Sequence, residues 1–147
     1  LAQLASIYVV YKSLFSEIIR PKNLNEFYTI FDNLNINPFW ETHYTFKNES
    51  KFQHKNLSKE KLNNLLINTI IPIRYAYERQ KEEVEIDFYL DLLNEINAEN
   101  NSVLDEYEQT GFRNKTAKDS QILIHLKKRY CSEKKCLNCA IGHHILR

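Results

Sequence analysis

Residues 58–80, SKEKLNNLLINTIIPIRYAYERQ, combine a helix-capping residue with the apolar run that we expect at the centre of the core. The hydroxyl of Ser58 can accept a hydrogen bond from a free backbone N–H, so a long helix is predicted to begin after it. The run from Leu65 to Ile73 is predicted to be buried. Pro72 should kink the helix, because proline removes one backbone donor and clashes with the preceding turn.

Two amphipathic helices are predicted upstream of this stretch. In residues 1–19, LAQLASIYVVYKSLFSEII, apolar side chains recur every three or four positions, and Arg20 and Pro21 mark the predicted end. Asn23 is the predicted N-cap of the second helix. The side chains expected on the buried faces are Leu1, Leu4, Tyr8, Tyr11, Phe15 and Ile18, then Leu24, Phe27, Ile30, Phe31 and Leu34.

Three helices are predicted downstream. Residues 83–97 place Val84, Phe88, Leu92 and Ile96 on one stripe with acidic residues opposite. A short helix over residues 102–110 should end at Gly111, which tolerates a left-handed conformation. Thr116 and Asp119 resemble a capping box at the start of the last helix, residues 117–130, which is expected to turn Ile122, Leu126 and Tyr130 inward.

These signals predict an all-α protein of about six helices, folded as one compact domain over residues 1–147. The length suits a single domain, and only two glycines and three prolines argue against a turn-rich β protein. One long irregular or hairpin segment is expected near residues 35–56. Because the chain begins at Leu1 and contains no methionine, we expect it to be a fragment or a processed form of a longer protein.

Charge is segregated along the chain. Residues 82–108 hold ten acidic residues and no basic one, whereas residues 118–147 hold seven basic residues against two acidic ones. The basic end either meets nucleic acid or complements the acidic segment within the molecule, and the second interpretation is favoured because charged runs are usually solvated faces. The lysines expected to contact nucleic acid are Lys127, Lys128, Lys134 and Lys135.

The tail, residues 131–147, contains all three cysteines and two adjacent histidines. Cys131, Cys136 and Cys139 have spacing typical of zinc sites, in which thiolates and imidazoles form a tetrahedron. The fourth ligand is predicted to be His143, with His144 as the alternative. An iron–sulfur cluster is the less favoured cofactor, and three reduced cysteines without a metal are the remaining interpretation.

Glu41 and His43 lie among aromatic residues in FWETHYTF, residues 39–46. Such a pair suits general acid–base chemistry or a metal-binding corner, although alternating polar residues on a half-exposed strand explain it as well. The structural interpretation is preferred, and no catalytic residue is assigned.

No apolar run approaches the roughly 18 residues that a membrane helix requires, so no membrane association is expected. The N-terminal stretch also lacks a basic leader and a cleavage site. An odd number of clustered cysteines suits a reducing compartment, and the cytoplasm is the predicted location.

Several phrases together resemble the C-terminal portion of a family of uncharacterised bacterial proteins, the domain-of-unknown-function family numbered 2851. They are WETHYTF, LLINTIIPIRYAY, AENNSV, DSQILIHLKKRYC and KKCLNCAIGHHIL, in that order. The resemblance implies no established activity. It implies longer relatives whose N-terminal half is loosely similar to a metal-dependent nuclease core, and a terminal cysteine cluster matched here by Cys131, Cys136 and Cys139.

The favoured function is a structural or binding accessory domain that serves the absent nuclease-like N-terminal region, with nucleic acid as one candidate partner. The first alternative is an enzyme domain that uses Glu41 and His43 or the cysteine cluster. The second is a helical protein–protein scaffold. This segment alone is not expected to be an enzyme, because no nucleophile, base and orienting group can be named together.

Overall fold

The computed structural model describes residues 2–32 and 36–146, with side chains from residue 5 onward. Leu1, Leu4 and Leu34, which were predicted to face the core, therefore lie outside the described side chains. The described residues form helices joined by turns and contain two isolated β-bridges but no strand. The predicted all-α class is confirmed. None of the described helices has the length and apolar character needed to cross a bilayer.

The chain divides into two compact units, Leu1–Val84 and Glu85–Arg147. The first contains helices α1 (Ala2–Val10), α2 (Leu14–Ile18), α3 (Leu24–Phe31), α4 (Lys59–Leu65) and α5 (Ile71–Gln80). The second contains α6 (Ile86–Glu95), α7 (Ser102–Gln109), α8 (Ala117–Leu126) and α9 (Ala140–Ile145). The single domain expected over residues 1–147 stays a prediction.

The first predicted helix is wrong as one element, because α1 ends at Val10 and α2 begins at Leu14. The β-branched pair Val9 and Val10 precedes the break, and such residues have restricted side-chain rotamers in a helix. The expected buried face is confirmed at Ile18, which is buried. It is wrong at Tyr8, which keeps 75% of its surface exposed, whereas Ile7, which was not predicted, is buried.

The long helix predicted from Ser58 is present with one local change. The Ser58 side chain accepts a hydrogen bond from the N–H of Lys61, as expected for an N-cap. Between α4 and α5, residues Leu66–Ile70 form a π-helical turn that leads into Pro72 at the start of α5. Because proline supplies no backbone N–H, the α-helical hydrogen-bond pattern is interrupted at this point.

The core of the first unit follows the predicted pattern in its later helices. Asn23 caps α3, and the Asn23 side chain accepts a hydrogen bond from the N–H of Glu26. The buried side chains contributed by α3 and by the helix from α4 to α5 are Leu24, Phe27, Ile30, Phe31, Leu62, Leu66, Ile67, Ile70 and Ile71. The apolar run around Pro72 is thus central to this core, although Ile73 itself is 45% exposed.

The irregular segment expected near residues 35–56 is confirmed for the residues described from 36 onward. A 3₁₀ helix, Pro38–Glu41, leads into a tight hairpin held by the bridge between His43 and Glu49. The N–H of Ser50 donates to the carbonyl of Thr42 at 2.7 Å, which closes the hairpin.

In the second unit, capping residues set the helix boundaries. Thr116 and Asp119 form the predicted capping box at the start of α8. Gly111 has a φ of +86°, the left-handed conformation expected after α7. The inward face predicted for α8 is wrong at Ile122, which is 57% exposed, because Ala117, Ser120 and Leu123 are the buried residues of this helix.

The acidic segment meets the solvent as its amphipathic pattern requires. Nine of the ten acidic residues between residues 82 and 108 are exposed. Glu99 is half-buried and accepts a hydrogen bond from Nε2 of Gln121 at 2.5 Å. Leu92 and Ile96 of the predicted stripe are buried, together with Tyr89.

Candidate functional site at the cysteine tail

The tail begins where α8 widens into a π-helical turn, Lys127–Cys131. The chain then reverses, with the N–H of Lys135 donating to the carbonyl of Tyr130 at 2.9 Å. Lys134 has a φ of +52° within this reversal. A 3₁₀ turn, Cys136–Asn138, and helix α9 follow. The reversal therefore returns the second and third cysteines towards the end of the helix that carries the first.

All three cysteines line one cavity of about 200 Å³ within the second unit. Cys131 and Cys136 are exposed thiols, whereas Cys139 keeps only 9% of its surface exposed. The rest of the lining is largely aromatic and aliphatic and includes Tyr107, Leu126 and Ile145. The three cysteines therefore border the same cavity.

Backbone contacts fix the later two cysteines against α9. The N–H of Cys139 donates to the carbonyl of Cys136 at 3.2 Å. A Cβ atom added at Gly142 would overlap the carbonyl oxygen of Cys136 and lie 2.9 Å from its Cα. Glycine at this position is what lets the helix approach the Cys136 backbone so closely.

Tyr107 contacts the first cysteine. Its hydroxyl lies 3.5 Å from Sγ of Cys131, and either atom can be the donor. Burial raises the pKa of Tyr107, and the interaction with Cys131 raises it further. Both residues also line a second cavity of about 200 Å³ with Glu106, Thr110 and Lys127. The neutral phenol of Tyr107 is therefore a hydrogen-bond partner of the exposed Cys131 thiol.

The cysteines do not assemble a metal-ligand set as they stand. Within residues 2–32 and 36–146, no three His, Cys, Asp or Glu side chains are grouped so as to hold an ion. His143 is exposed. Its backbone N–H donates a helical hydrogen bond to the carbonyl of Cys139 at 2.8 Å. Zinc binding by Cys131, Cys136, Cys139 and His143 stays a prediction, and it would require the side chains to rearrange.

The four lysines predicted to contact nucleic acid differ in their surroundings. Lys127 donates to Glu106 at 2.6 Å, and Lys135 lies 3.2 Å from Glu133. That hydrogen bond with Glu106 raises the pKa of Lys127. Lys128 and Lys134 are exposed and form no ion pair with any residue in the described part of the chain. The basic end therefore complements the acidic segment at Lys127.

Glu41 and His43, the alternative site in the first unit, have different polar partners. Oε1 of Glu41 lies 3.0 Å from Nδ1 of His54. The ring of His43 stacks on Phe39 with centroids 3.9 Å apart, and its Nδ1 lies 3.0 Å from the Phe39 carbonyl. These contacts explain His43 as a residue that fixes the hairpin.

Sequence reasoning missed two residues of these sites, Tyr107 and His54. Tyr107 lies 24 positions before Cys131, and nothing in the local pattern of α7 marks it as a partner of a thiol. His54 is 13 positions from Glu41, and the hairpin that joins them could be predicted only as an irregular segment.

Comparison with known proteins assigns the family. The model of the family described as "Protein of unknown function (DUF2851)" matches residues 1–102, so the chain belongs to this family. The match excludes the cysteine tail, and the expectation that the chain is the C-terminal portion of such a protein stays a prediction. Comparisons with curated proteins and with solved structures gave no match.

Proposed function

We propose that this DUF2851 protein contributes a binding module rather than a catalytic one, and that its basic end, residues 118–147, binds nucleic acid. One observation carries the proposal. Lys128 lies before the reversal and Lys134 within it, and both are exposed and unpaired with any acidic residue among those described. Arg129 adds a third exposed cation to the same stretch.

Phosphate binding by such cations is driven by the release of counterions condensed on the nucleic acid. An exposed lysine without a carboxylate partner can contact a phosphate without first breaking an ion pair. Lys127 and Lys135 must give up Glu106 and Glu133 to do the same. Lys128 and Lys134 should therefore contribute more to binding than the other two predicted lysines.

A catalytic role has less support from the described geometry. Glu41 pairs with His54, and His43 stacks on Phe39, so the two do not form an acid–base pair with each other through the contacts described. The proposal assigns chemistry on the nucleic acid to a nuclease-like N-terminal region of a longer protein. It places the protein in the cytoplasm, where clustered thiols remain reduced.

Fluorescence anisotropy with labelled single- and double-stranded oligonucleotides tests the proposal. Binding at about 50 mM salt should weaken as salt rises, with a slope of about −0.9 per phosphate contact on duplex DNA. The variant Lys128→Ala/Lys134→Ala should bind more weakly and have a shallower slope. The matched control Lys12→Ala/Lys22→Ala removes the same charge from exposed positions in the first unit and should bind like the wild type.

Two results would contradict the proposal. The first is the absence of association with either oligonucleotide at low salt, which would favour the helical protein–protein scaffold. The second is equal weakening by the tail variant and the control variant, which would indicate attraction to net charge without a defined site.

A further inference from the structure

We propose that Cys136 and Cys139 are a redox-active dithiol pair that exchanges with disulfides and closes to an intramolecular disulfide. This proposal does not depend on nucleic-acid binding. It starts from the finding that the cysteines share a cavity without forming a metal-ligand set among the described residues. Free thiols that lie close together are suited to thiol–disulfide chemistry.

The backbone holds the pair at a separation that a disulfide can bridge. The hydrogen bond from the N–H of Cys139 to the carbonyl of Cys136, 3.2 Å, spans three residues and closes a turn. Such a turn brings the first and last Cα atoms within about 7 Å. Disulfides join Cα atoms about 4.4–6.8 Å apart, so little backbone movement is needed.

The two thiols differ in access, and the difference gives them different roles. Cys136 is exposed and can be reached by a disulfide from solution, whereas Cys139 is 9% exposed and lines the cavity behind it. Lys134, which forms no ion pair with a described residue, lies two positions before Cys136 and adds a positive charge near it, which suits an anionic attacking sulfur. Cys136 is thus the attacking thiol and Cys139 the resolving thiol.

The exchange proceeds in two steps. The Cys136 thiol gives its proton to water, and its sulfur attacks one sulfur of a disulfide R–S–S–R, forming a mixed disulfide and releasing RS⁻. Cys139 then loses its proton, its sulfur attacks Sγ of Cys136, and the second RS⁻ leaves. The protein dithiol is oxidised by two electrons, and R–S–S–R is reduced to two thiols, which take up the two protons.

Cys131 lies outside this pair although it lines the same cavity. No turn hydrogen bond joins it to Cys136 or Cys139, and its sulfur lies 3.5 Å from the Tyr107 hydroxyl instead. It therefore supplies a matched control for thiol substitution in the same tail.

Oxidised glutathione is the probe, and the positions of the basic residues let trypsin separate Cys131 from the other two cysteines. Trypsin cuts after Arg129, Lys134 and Lys135, so Cys131 falls in residues 130–134 while both other cysteines fall in residues 136–147. After oxidation and alkylation, mass spectrometry should find residues 136–147 unalkylated and lacking two hydrogens. Residues 130–134 should carry the alkyl group on Cys131, and treatment with dithiothreitol should make all three cysteines alkylatable.

Single variants identify the order of the two steps. Cys139→Ser should retain glutathione on Cys136, because the resolving thiol is gone. Cys136→Ser should leave Cys139 largely reduced, and Cys131→Ser should form the disulfide like the wild type. Circular dichroism checks that each variant is folded. If a variant is not folded, the peptide map of the wild type alone tests for the disulfide between Cys136 and Cys139.

Three outcomes would overturn the proposal. One is alkylation of all three cysteines after exposure to oxidised glutathione. Another is a disulfide that joins residues 130–134 to residues 136–147. The last is one tightly bound zinc ion per chain that protects all three thiols from oxidation, which would restore the metal site predicted from the sequence.

Discussion

The hydroxyl of Tyr107 lies 3.5 Å from Sγ of Cys131, so the end of α7 is joined to the cysteine tail by a contact across 24 residues of sequence. Burial of Tyr107 and its interaction with the thiol both favour the neutral phenol, and they raise its pKa. In an unfolded chain the pKa of tyrosine is about 10, so the folded protein keeps the Tyr107 proton at a pH where the unfolded chain has lost it.

Replacing Tyr107 with Phe should remove a tyrosine that ionises only at very alkaline pH. Titration followed by tyrosinate absorbance should show the late ionisation in the wild type and not in Tyr107→Phe. Tyr44→Phe is the control, because Tyr44 is 69% exposed. Since the native state binds the extra proton, the free energy of unfolding should fall as pH rises above about 10. Identical late titrations in the wild type and Tyr107→Phe would contradict this assignment.

The capping box of α8 makes a pH-dependent contribution to stability. Oδ2 of Asp119 accepts hydrogen bonds from the N–H groups of Lys115 and Thr116, each at 3.1 Å. These bonds, chiefly the one from Lys115, lower the pKa of Asp119 below 3.8. The stabilisation is therefore present above pH 3.8 and is lost as pH falls through the lower native pKa.

Asp119→Asn should reduce the loss of unfolding free energy between neutral and acid pH, as measured by urea denaturation. Asp105→Asn, at an exposed position in the first turn of α7, should retain the wild-type acid dependence. Thr116→Ala should cost about 1 kcal/mol at neutral pH, because it removes the side-chain acceptor for the N–H of Asp119. An unchanged acid dependence in Asp119→Asn would refute this role.

Capping residues and the central apolar run were predictable because each acts through its near neighbours. Thr116 with Asp119, Asn23 and Ser58 were all identified from sequence, since a capping side chain reaches only two or three residues along the chain. Gly111 belongs to the same group, because its left-handed conformation follows from its missing Cβ.

The predictions were wrong where contacts between residues far apart in the sequence determine which side chains are buried. Ile122 fits an inward stripe by its apolar side chain, yet the buried stripe of α8 includes Ser120. The hydroxyl of Ser120 is satisfied by Asn114 at 2.8 Å and by the N–H of Glu99 at 2.9 Å. A polar residue with all its partners in place can be buried, and the sequence pattern alone does not reveal those partners.

Gly111 isolates the cost of a left-handed backbone from any steric effect. Its φ is +86°, and no atom lies within 4 Å of a Cβ added at this position. Gly111→Ala should therefore destabilise the protein by about 1 kcal/mol through backbone strain alone. Gly111→Asn should cost less, because asparagine visits this region more readily. Equal midpoints for the wild type and Gly111→Ala in urea denaturation would show that the turn rearranges without strain.

Two arginine–glutamate pairs in the first unit differ in burial, so comparing them tests how burial changes the contribution of an ion pair to stability. Nε of Arg74 lies 2.7 Å from Oε1 of Glu78, and its Nη1 donates to the carbonyl of Pro21 at 2.5 Å. The Arg74 side chain is 10% exposed. Arg20 pairs with Glu17 at 3.1 Å, but its side chain is 71% exposed.

Arg74→Ala should lower the free energy of unfolding by about 3 kcal/mol, because a largely buried carboxylate loses its guanidinium and a buried carbonyl loses a donor. Arg20→Ala should cost less than about 1 kcal/mol, since water and salt screen an exposed pair. Arg74→Lys should recover only part of the loss, because an ammonium group lacks the fork that reaches both Glu78 and Pro21. Urea denaturation of the three variants measures these differences. Similar losses for Arg74→Ala and Arg20→Ala would mean that the Arg74 pair is solvated in the folded protein.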